Sequence, residues 1–232
     1  MHVSLPMYDP PHLHRATDTF WAAVAAALPF DAPRDLTRNA DPWALWQCRD
    51  MFLSQTCGLP YRARLHGQVH LVATPDYGLE GCAPGYYRSV LVTRQSTRLT
   101  PGLRLAYNDP ISQSGWAAAQ GFGFAPHLET GAHESSMNAV LSGAADVALI
   151  DCHTLRILGL PEGLATQGFS DPSPAPPFIT SRSEWMAPLR KALKEACDQL
   201  DASTRQALGL RDIIAIDAAD YLRVPIPPAP SA

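Results

Sequence analysis

The sequence predicts an α/β fold in which strands lead through short polar turns into helices. Residues 103–107 alternate large apolar side chains with polar or small ones, which is the period-two pattern of a strand. Residues 108–110, Asn-Asp-Pro, end that strand, and a helix-prone run begins at Trp116. Residues 146–150 form a second apolar strand, and Asp151 stands at its carboxyl end before another helix-prone segment. Two strand-to-helix junctions of the same polarity are typical of α/β sheets.

The remaining elements are predicted from apolar periodicity near 2 residues for strands and about 3.6 residues for helices. Before residue 103 they are strands 3–7, 69–74 and 87–93 and helices 16–28 and 42–56. The second helix also has start signals, since Asp41 is a favoured N-cap residue and Pro42 suits the first helical position. After residue 110 they are strands 122–128 and 178–180 and a helix over 184–200.

A small cup for a tetrahedral oxyanion is predicted at the first junction, where Ser112, Gln113, Ser114 and Gly115 follow the turn. The first N–H groups of a helix have no intrahelical acceptor, and the helix dipole places partial positive charge there. Serine hydroxyls beside those donors, with a glycine that admits close backbone approach, suit an anion. The alternative is that Ser112 or Ser114 is only an N-cap, since serine is favoured there in any helix.

A second segment places His133 and Glu134 at the start of an amphipathic helix that ends at Ser142 and Gly143. The stretches YNDPISQSG and GAHESSMNAVLSGAADVALID together resemble the substrate-binding proteins of phosphate, phosphite and phosphonate ABC transporters. The resemblance covers residues 87–182 well and the flanks weakly. It implies the type 2 periplasmic-binding-protein fold, in which two α/β lobes are joined by a hinge around a central cleft.

The resemblance, with two polar segments bounded by or rich in proline, predicts where the chain crosses between lobes. The first crossing is expected over residues 94–101 and the return over residues 171–177. Lobe 1 is then discontinuous, residues 1–94 and 178–232, and lobe 2, residues 95–177, carries both motifs.

The family pattern implies that one small oxyanion, a phosphonate, phosphate or phosphate ester, is held by both motifs. Ser112, Gln113, Ser114, the N–H groups up to Gly115, and His133 are its expected donors. Such donors give directional hydrogen bonds without requiring a paired cation.

Further candidates would contact the rest of the ligand. Asp151 is expected to meet a positively charged amine, or else only to cap the helix that follows. Tyr77 and Tyr8 lie in loops after strands, where they contact the ligand or simply pack. Weaker candidates are Trp116, Glu134, Gln55 and Thr56.

Composition limits the partners and the compartment. A net charge of −4 and a pI near 6.0 give no electrostatic signature of nucleic-acid binding, although local charge need not follow the net value. The longest apolar run, residues 20–30, is too short for a membrane span of about 20 residues. No basic leader precedes it, so a cytoplasmic protein is expected, or a periplasmic one if a leader has been removed. A monomer is expected, with an ABC permease as the conceivable protein partner.

No cofactor, metal site or catalytic residue is predicted. The five cysteines are scattered without a CxxC pair and suit thiols in a reducing compartment, and no HExxH pattern occurs. A solute-binding protein is therefore the favoured interpretation. The alternatives are a cytosolic enzyme on the same bilobal fold, similar to those of the alternative menaquinone route, and a cytosolic sensor of oxyanions.

Overall fold

The computed structural model describes residues 1–231, which form an α/β structure of twelve strands and eight helices. The strands are β1 (His2–Ser4), β2 (Met51–Gln55), β3 (His70–Asp76), β4 (Tyr86–Tyr87), β5 (Ser89–Arg94), β6 (Arg104–Tyr107), β7 (Ala125–Glu129), β8 (Val147–Asp151), β9 (Leu164–Phe169), β10 (Ser173–Pro174), β11 (Phe178–Thr180) and β12 (Asp212–Ile214). The helices are α1 (His14–Ala27), α2 (Pro42–Trp46), α3 (Gly58–Pro60), α4 (His133–Ser142), α5 (Cys152–Leu158), α6 (Ser183–Gln199), α7 (Ala202–Leu208) and α8 (Ala218–Arg223). Two 3-10 segments, Pro11–Leu13 and Ala117–Phe122, and a π-helical turn, Tyr61–Leu65, complete the regular structure.

The chain divides into two compact units, each with its own five-stranded sheet. The first unit comprises Met1–Tyr86 and Pro174–Arg223, and the second comprises Tyr87–Ser173 and the tail from Val224. The chain therefore passes from one unit to the other three times, the first two times within the strands β4 and β10, which pair in a two-stranded sheet.

The sheet of the first unit has the strand order β1-β2-β11-β3-β12. β1 pairs parallel to β2, and β11 lies antiparallel between β2 and β3. One core cluster of this unit joins Trp46, Met51, Tyr61, Ile179 and Tyr221. The side chains of α2, β2, β11 and α8 thus meet in one apolar layer.

The predicted helix over residues 42–56 is wrong in its second half. Helix α2 begins at Pro42 with Asp41 as its N-cap, as predicted, but it ends at Trp46 and the strand β2 begins at Met51. All five residues of β2 are buried. Because both faces of β2 are buried, apolar and polar residues do not alternate along it, so periodicity alone could not separate a strand from a helix here.

The sheet of the second unit has the strand order β7-β6-β8-β5-β9. β6 pairs parallel to both β7 and β8, while β5 pairs antiparallel to β8 and β9. Helix α4 packs on this sheet, and its Met137 and Val140 share a core with Val92, Ala106 and Ile150. The strands predicted over residues 103–107 and 146–150 are β6, which begins one residue later, and β8, which is shifted by one residue.

The unit boundaries differ from the predicted lobes. Residues 87–94 were assigned to lobe 1, but β5 is an interior strand of the second sheet, bonded on both sides. The return to the first unit occurs at Pro174 rather than at Phe178. The tail also belongs to the second unit, because the indole N–H of Trp116 donates to the Pro228 carbonyl at 2.9 Å.

All five cysteines are free thiols. Within residues 1–231 no helix has the length and apolar character that a membrane span requires. The same residues contain no group of three or more His, Cys, Asp and Glu side chains placed to hold a metal ion.

Candidate anion-binding site

The predicted residues of the second unit collect at one edge of its sheet. Because β7, β6 and β8 are parallel neighbours, their carboxyl ends lie at the same edge. The loop with Ser112–Gly115 follows β6, helix α4 begins shortly after β7, and Asp151 is the last residue of β8. The carboxyl edge of parallel strands is where α/β proteins generally bind ligands.

The loop after β6 is held by its own polar groups. The Asp109 carboxylate accepts from the Ile111 N–H at 2.7 Å, and the Asp109 carbonyl accepts from the Ser112 N–H at 3.0 Å. Ser112 Oγ accepts from the Gly115 N–H at 3.1 Å within the turn, whereas the N-cap of the segment that follows is Trp116, which makes no side-chain cap hydrogen bond. With that N–H occupied, the expected contribution of Gly115 to a ligand stays a prediction.

A side chain at position 115 would require Asn108 to move. A Cβ there would lie 2.0 Å from Asn108 Oδ1, in a buried part of the loop. Asn108 thus packs directly against the Gly115 backbone. The predicted helix after this loop is a 3-10 segment, Ala117–Phe122, rather than an α-helix.

The two motifs meet through Ser114 and His133. Ser114 Oγ lies 2.9 Å from His133 Nε2 and 3.4 Å from Ser112 Oγ. Ser112, Gln113 and Ser114 are all buried, each with at most 5% of its surface exposed. Residues that are 19 positions apart in the chain thus form one hydrogen-bonded cluster of hydroxyls and imidazole.

Helix α4 begins at this cluster, and no side chain caps its N-terminus. His133 is its first residue, and its N-cap residue, Ala132, has no side chain that could accept a hydrogen bond. The first N–H groups of a helix have no intrahelical acceptors, so a ten-residue helix that begins in this way offers donors to an anion.

His133 is neutral at pH 7. Burial lowers the pKa of His133 from its usual 6.5 to about 4. Its Nδ1 atom is buried and has no hydrogen-bond partner within residues 1–231. A proton there would leave a buried N–H unpaired, so the single proton is favoured on Nε2, which then donates to Ser114 Oγ. The hydroxyl hydrogen of Ser114 is left for another acceptor, such as an anion.

Asp151 is buried and caps helix α5. Its carboxylate accepts from the backbone N–H groups of His153 at 2.7 Å and Thr154 at 3.0 Å. The capping alternative for Asp151 is therefore present in the structure. Its contact with a ligand amine stays a prediction.

The candidates of the first unit form a separate cluster within that unit. Tyr8 and Tyr77 make an edge-on ring contact with centroids 5.0 Å apart. The Gln55 side-chain amide donates to Tyr77 Oη at 3.2 Å and to the Pro176 carbonyl at 3.1 Å.

Three of the four candidates in the first unit line one cavity. Tyr8, Gln55 and Tyr77 line it together with Leu5, Phe20 and Phe178 and three further residues of the same unit. Thr56 is buried beside Gln55, and its N–H donates to the Pro177 carbonyl at 3.1 Å.

The two remaining weak candidates have different surroundings. Trp116 is buried, and its ring packs on Tyr107 with centroids 5.4 Å apart while its N–H holds the tail. Glu134 is exposed in the first turn of α4.

Sequence reasoning missed Ser89, which contacts the Ser114 backbone. Ser89 Oγ donates to the Ser114 carbonyl at 2.9 Å, and Ser89 is fully buried. The only signal in the sequence was a serine inside the apolar strand YRSVLVT, where a small polar residue needs a buried partner.

The fold is shared with solved bacterial binding proteins. XAC2383 from Xanthomonas citri, bound to chloride ion, superposes with a TM-score of 0.72 at 13% identity, covering 97% of this chain and 94% of that one. PhnD1 from Prochlorococcus marinus, in complex with methylphosphonate, gives 0.72 at 16% identity, covering 95% and 94%. A binding protein component of an ABC phosphonate transporter from Pseudomonas aeruginosa gives 0.66 at 16%, covering 96% and 82%.

These likenesses show that the chain has the type 2 periplasmic-binding-protein fold. A comparison with curated proteins gave no match. The family model of the periplasmic substrate-binding proteins of phosphonate ABC transporters matches residues 52–221, which is more than half of the chain. This chain therefore belongs to that family of substrate-binding proteins.

Proposed function

We propose that this protein binds a small oxyanion, a phosphonate, phosphate or phosphate ester, at the edge of the second sheet. The donors are Ser112, Gln113, Ser114 and the first N–H groups of α4, and His133 is proposed to share its single imidazole N–H between Ser114 Oγ and the anion. The observation that carries the proposal is the 2.9 Å contact of Ser114 Oγ with His133 Nε2, which joins the two motifs. Methylphosphonate, the ligand in the PhnD1 complex, belongs to the proposed class.

Neutral donors suit such a ligand. The cluster has hydroxyl, imidazole and backbone N–H groups, and the imidazole is uncharged because its pKa is about 4. Hydrogen bonds to an ionised acceptor contribute about 1.5–3 kcal/mol each, and a helix dipole adds about 0.3–1 kcal/mol. Several donors acting together are therefore needed for tight binding.

The remaining candidates would recognise the rest of the ligand. Asp151 is proposed to favour ligands with an ammonium group, in addition to capping α5. Tyr8, Tyr77, Gln55 and Thr56 stay predicted ligand contacts; the mostly apolar cavity that the first three line supports that role.

We further propose that the protein acts as a monomer that delivers its ligand to an ABC permease, as its family membership suggests. The family is periplasmic, whereas five free thiols favour a reducing compartment and support the expectation of a cytoplasmic protein. Fractionation of the native cells, with immunodetection in cytoplasm and periplasm, separates the two. Because the family consists of binding proteins rather than enzymes, no turnover of the ligand is expected.

Calorimetry with a panel of anions tests the proposed site. We expect reversible binding of phosphate, methylphosphonate, 2-aminoethylphosphonate or a phosphate monoester by the wild-type protein. Ser114→Ala and His133→Ala should each weaken that binding by about 10- to 100-fold, the equivalent of one hydrogen bond to an anion.

Ser135→Ala is a matched control, because Ser135 is exposed on the same helix and should leave affinity unchanged. A folded wild-type protein that gives neither heat nor a thermal shift with any of these anions would refute the proposal.

A further inference from the structure

Ser89 lies at the point where the chain has just entered the second unit. It is the first residue of β5, and only 1% of its surface is exposed. The unit begins at Tyr87, two residues earlier. Nothing in the proposed ligand chemistry requires a direct contact with this serine.

The polar groups of Ser89 join three segments of the second unit. Its hydroxyl donates to the Ser114 carbonyl at 2.9 Å. Its N–H donates to Ser170 Oγ at 3.0 Å, and the Ser170 N–H donates back to the Ser89 carbonyl at 2.8 Å. Across the sheet it is the antiparallel partner of Asp151. Ser170 itself precedes the point where the chain leaves the unit, after Ser173.

The contact with Ser114 bears on the position of the Ser114 hydroxyl. A buried carbonyl that loses its donor costs about 1–3 kcal/mol, so the loop tends to move until it finds another partner. The Ser114 hydroxyl belongs to the same residue and lies only 2.9 Å from His133 Nε2. A displacement of that peptide by a few tenths of an ångström would lengthen the contact with the imidazole and misdirect the hydroxyl.

We propose that Ser89 is a positioning residue for oxyanion binding: it fixes the Ser114 peptide so that the Ser114 hydroxyl faces both His133 and the ligand. Ser89 lies just after the chain enters the second unit, and Ser170 lies just before the chain leaves it. Their mutual hydrogen bonds therefore connect the binding loop to both of these chain segments. This inference rests on the proposed function, and it assigns to Ser89 no contact with the ligand.

If the Ser89 hydroxyl had only a structural role, its removal would lower stability without a specific effect on ligand binding. Thr93 provides the comparison, because it lies on the same strand, is fully buried and also uses its hydroxyl. Thr93 Oγ1 donates to the Arg94 carbonyl at 3.0 Å and accepts from the Gln167 amide at 2.6 Å, away from Ser114. Thr93→Val should destabilise the unit without touching the binding loop.

The test is a double-mutant cycle with methylphosphonate and inorganic phosphate as probes. We expect Ser89→Ala to raise the Kd of the bound probe at least tenfold, and Thr93→Val to change it less than twofold. In a Ser114→Ala background there is no hydroxyl to position, so adding Ser89→Ala should change the Kd by less than threefold. Ser89→Ala within twofold of the wild-type Kd, or full additivity in the cycle, would overturn the inference.

A measurement without ligand keeps this inference separate from the proposed function. In NMR spectra of the ligand-free protein at one fixed pH, the His133 ring resonances should move in Ser89→Ala and Ser170→Ala but not in Thr93→Val. If the wild-type protein binds neither probe while these resonances move, the proposed ligand class fails and the positioning role stands. Unchanged His133 resonances in a folded Ser89→Ala variant would refute the positioning role even if the wild-type protein binds both probes.

Discussion

At the scale of single residues, His133 combines a partly exposed ring whose Nδ1 atom is buried with a place in the proposed anion site. A buried imidazole is held neutral because desolvation disfavours its charged form. The pKa of His133 is lowered to about 4. The neutral ring can donate a hydrogen bond at neutral pH, and the ligand-free protein then has no positive charge to stabilise at this position.

The lowered pKa of His133 predicts how stability depends on pH. Below about 6.5 the unfolded chain takes up a proton at this residue, whereas the folded protein resists it until about pH 4. The free energy of unfolding should therefore fall as pH drops from 6.5 to 4, by at most about 3 kcal/mol from this group. Urea unfolding at pH 7 and pH 4.5 measures this difference in the free energy of unfolding. The control is His133→Gln, whose free energy of unfolding should fall clearly less between the two pH values. An equal fall in both proteins would contradict the lowered pKa of His133.

At the scale of elements, hydrogen bonds from two arginines join strands and helix α4 at the end of the second sheet opposite the candidate site. Asp146 accepts from the Arg104 backbone N–H at 3.1 Å and from its guanidinium at 2.9 Å, just before β8 and at the start of β6. Arg94 from β5 donates to the Val140 carbonyl in the last turn of α4 and to the Ala145 carbonyl between α4 and β8. The hydrogen bond from Arg104 is the main cause that lowers the pKa of Asp146 to about 2.

Asp146→Asn should therefore loosen this end of the sheet. We expect a loss of about 1 kcal/mol, since the pairs are partly exposed, and a melting temperature lower by a few degrees. The stabilisation by Asp146 is present above the ordinary carboxylate pKa and is lost as pH falls toward about 2. The control is Asp198→Asn, which breaks one exposed ion pair with Lys194 and should have a smaller effect in the same thermal melts. Equal effects of the two substitutions would show that the Asp146 hydrogen bonds stabilise the protein no more than an exposed ion pair does.

At the scale of the whole molecule, the chain returns to the second unit after α8 and ends against the residue that follows the candidate loop. The tail from Val224 belongs to that unit, and the Pro228 carbonyl accepts from the buried indole of Trp116. A buried N–H that loses its acceptor costs about 1–3 kcal/mol.

Deletion of residues 224–232 should thus destabilise the protein by about 1–2 kcal/mol, or about 4 °C in melting temperature. Trp116→Phe removes the same hydrogen bond and should reproduce part of this loss, whereas deletion of residues 231–232 alone should not. Differential scanning calorimetry compares the three variants. A truncated chain that melts with the full-length protein would show that the tail contributes no stability.

Local pattern was enough for the strands β6 and β8 of the second sheet, whereas its strand β9 was not predicted. Alternation over residues 103–107 and the apolar run over residues 146–150 predicted β6 and β8 to within one residue, because a half-buried or fully buried strand shows in its own composition. The same rule failed for β2, since five consecutive buried residues have no polar face that would set a period. It also failed at the unit boundaries, because strand pairing, and not composition, makes β5 part of the second sheet.

The sequence by itself determined the class of the fold and, through the resemblance of its two motifs, the family; it also predicted the residue types that we propose hold an oxyanion. Only the tertiary structure decided that Ser114 and His133 are in contact, that Asp151 is engaged as a helix cap, and that Ser89 supports the loop from 25 positions away. The physical reason is that hydrophobic period, turns and caps are encoded among near neighbours, whereas a hydrogen bond between distant segments depends on which strands pair and in what order.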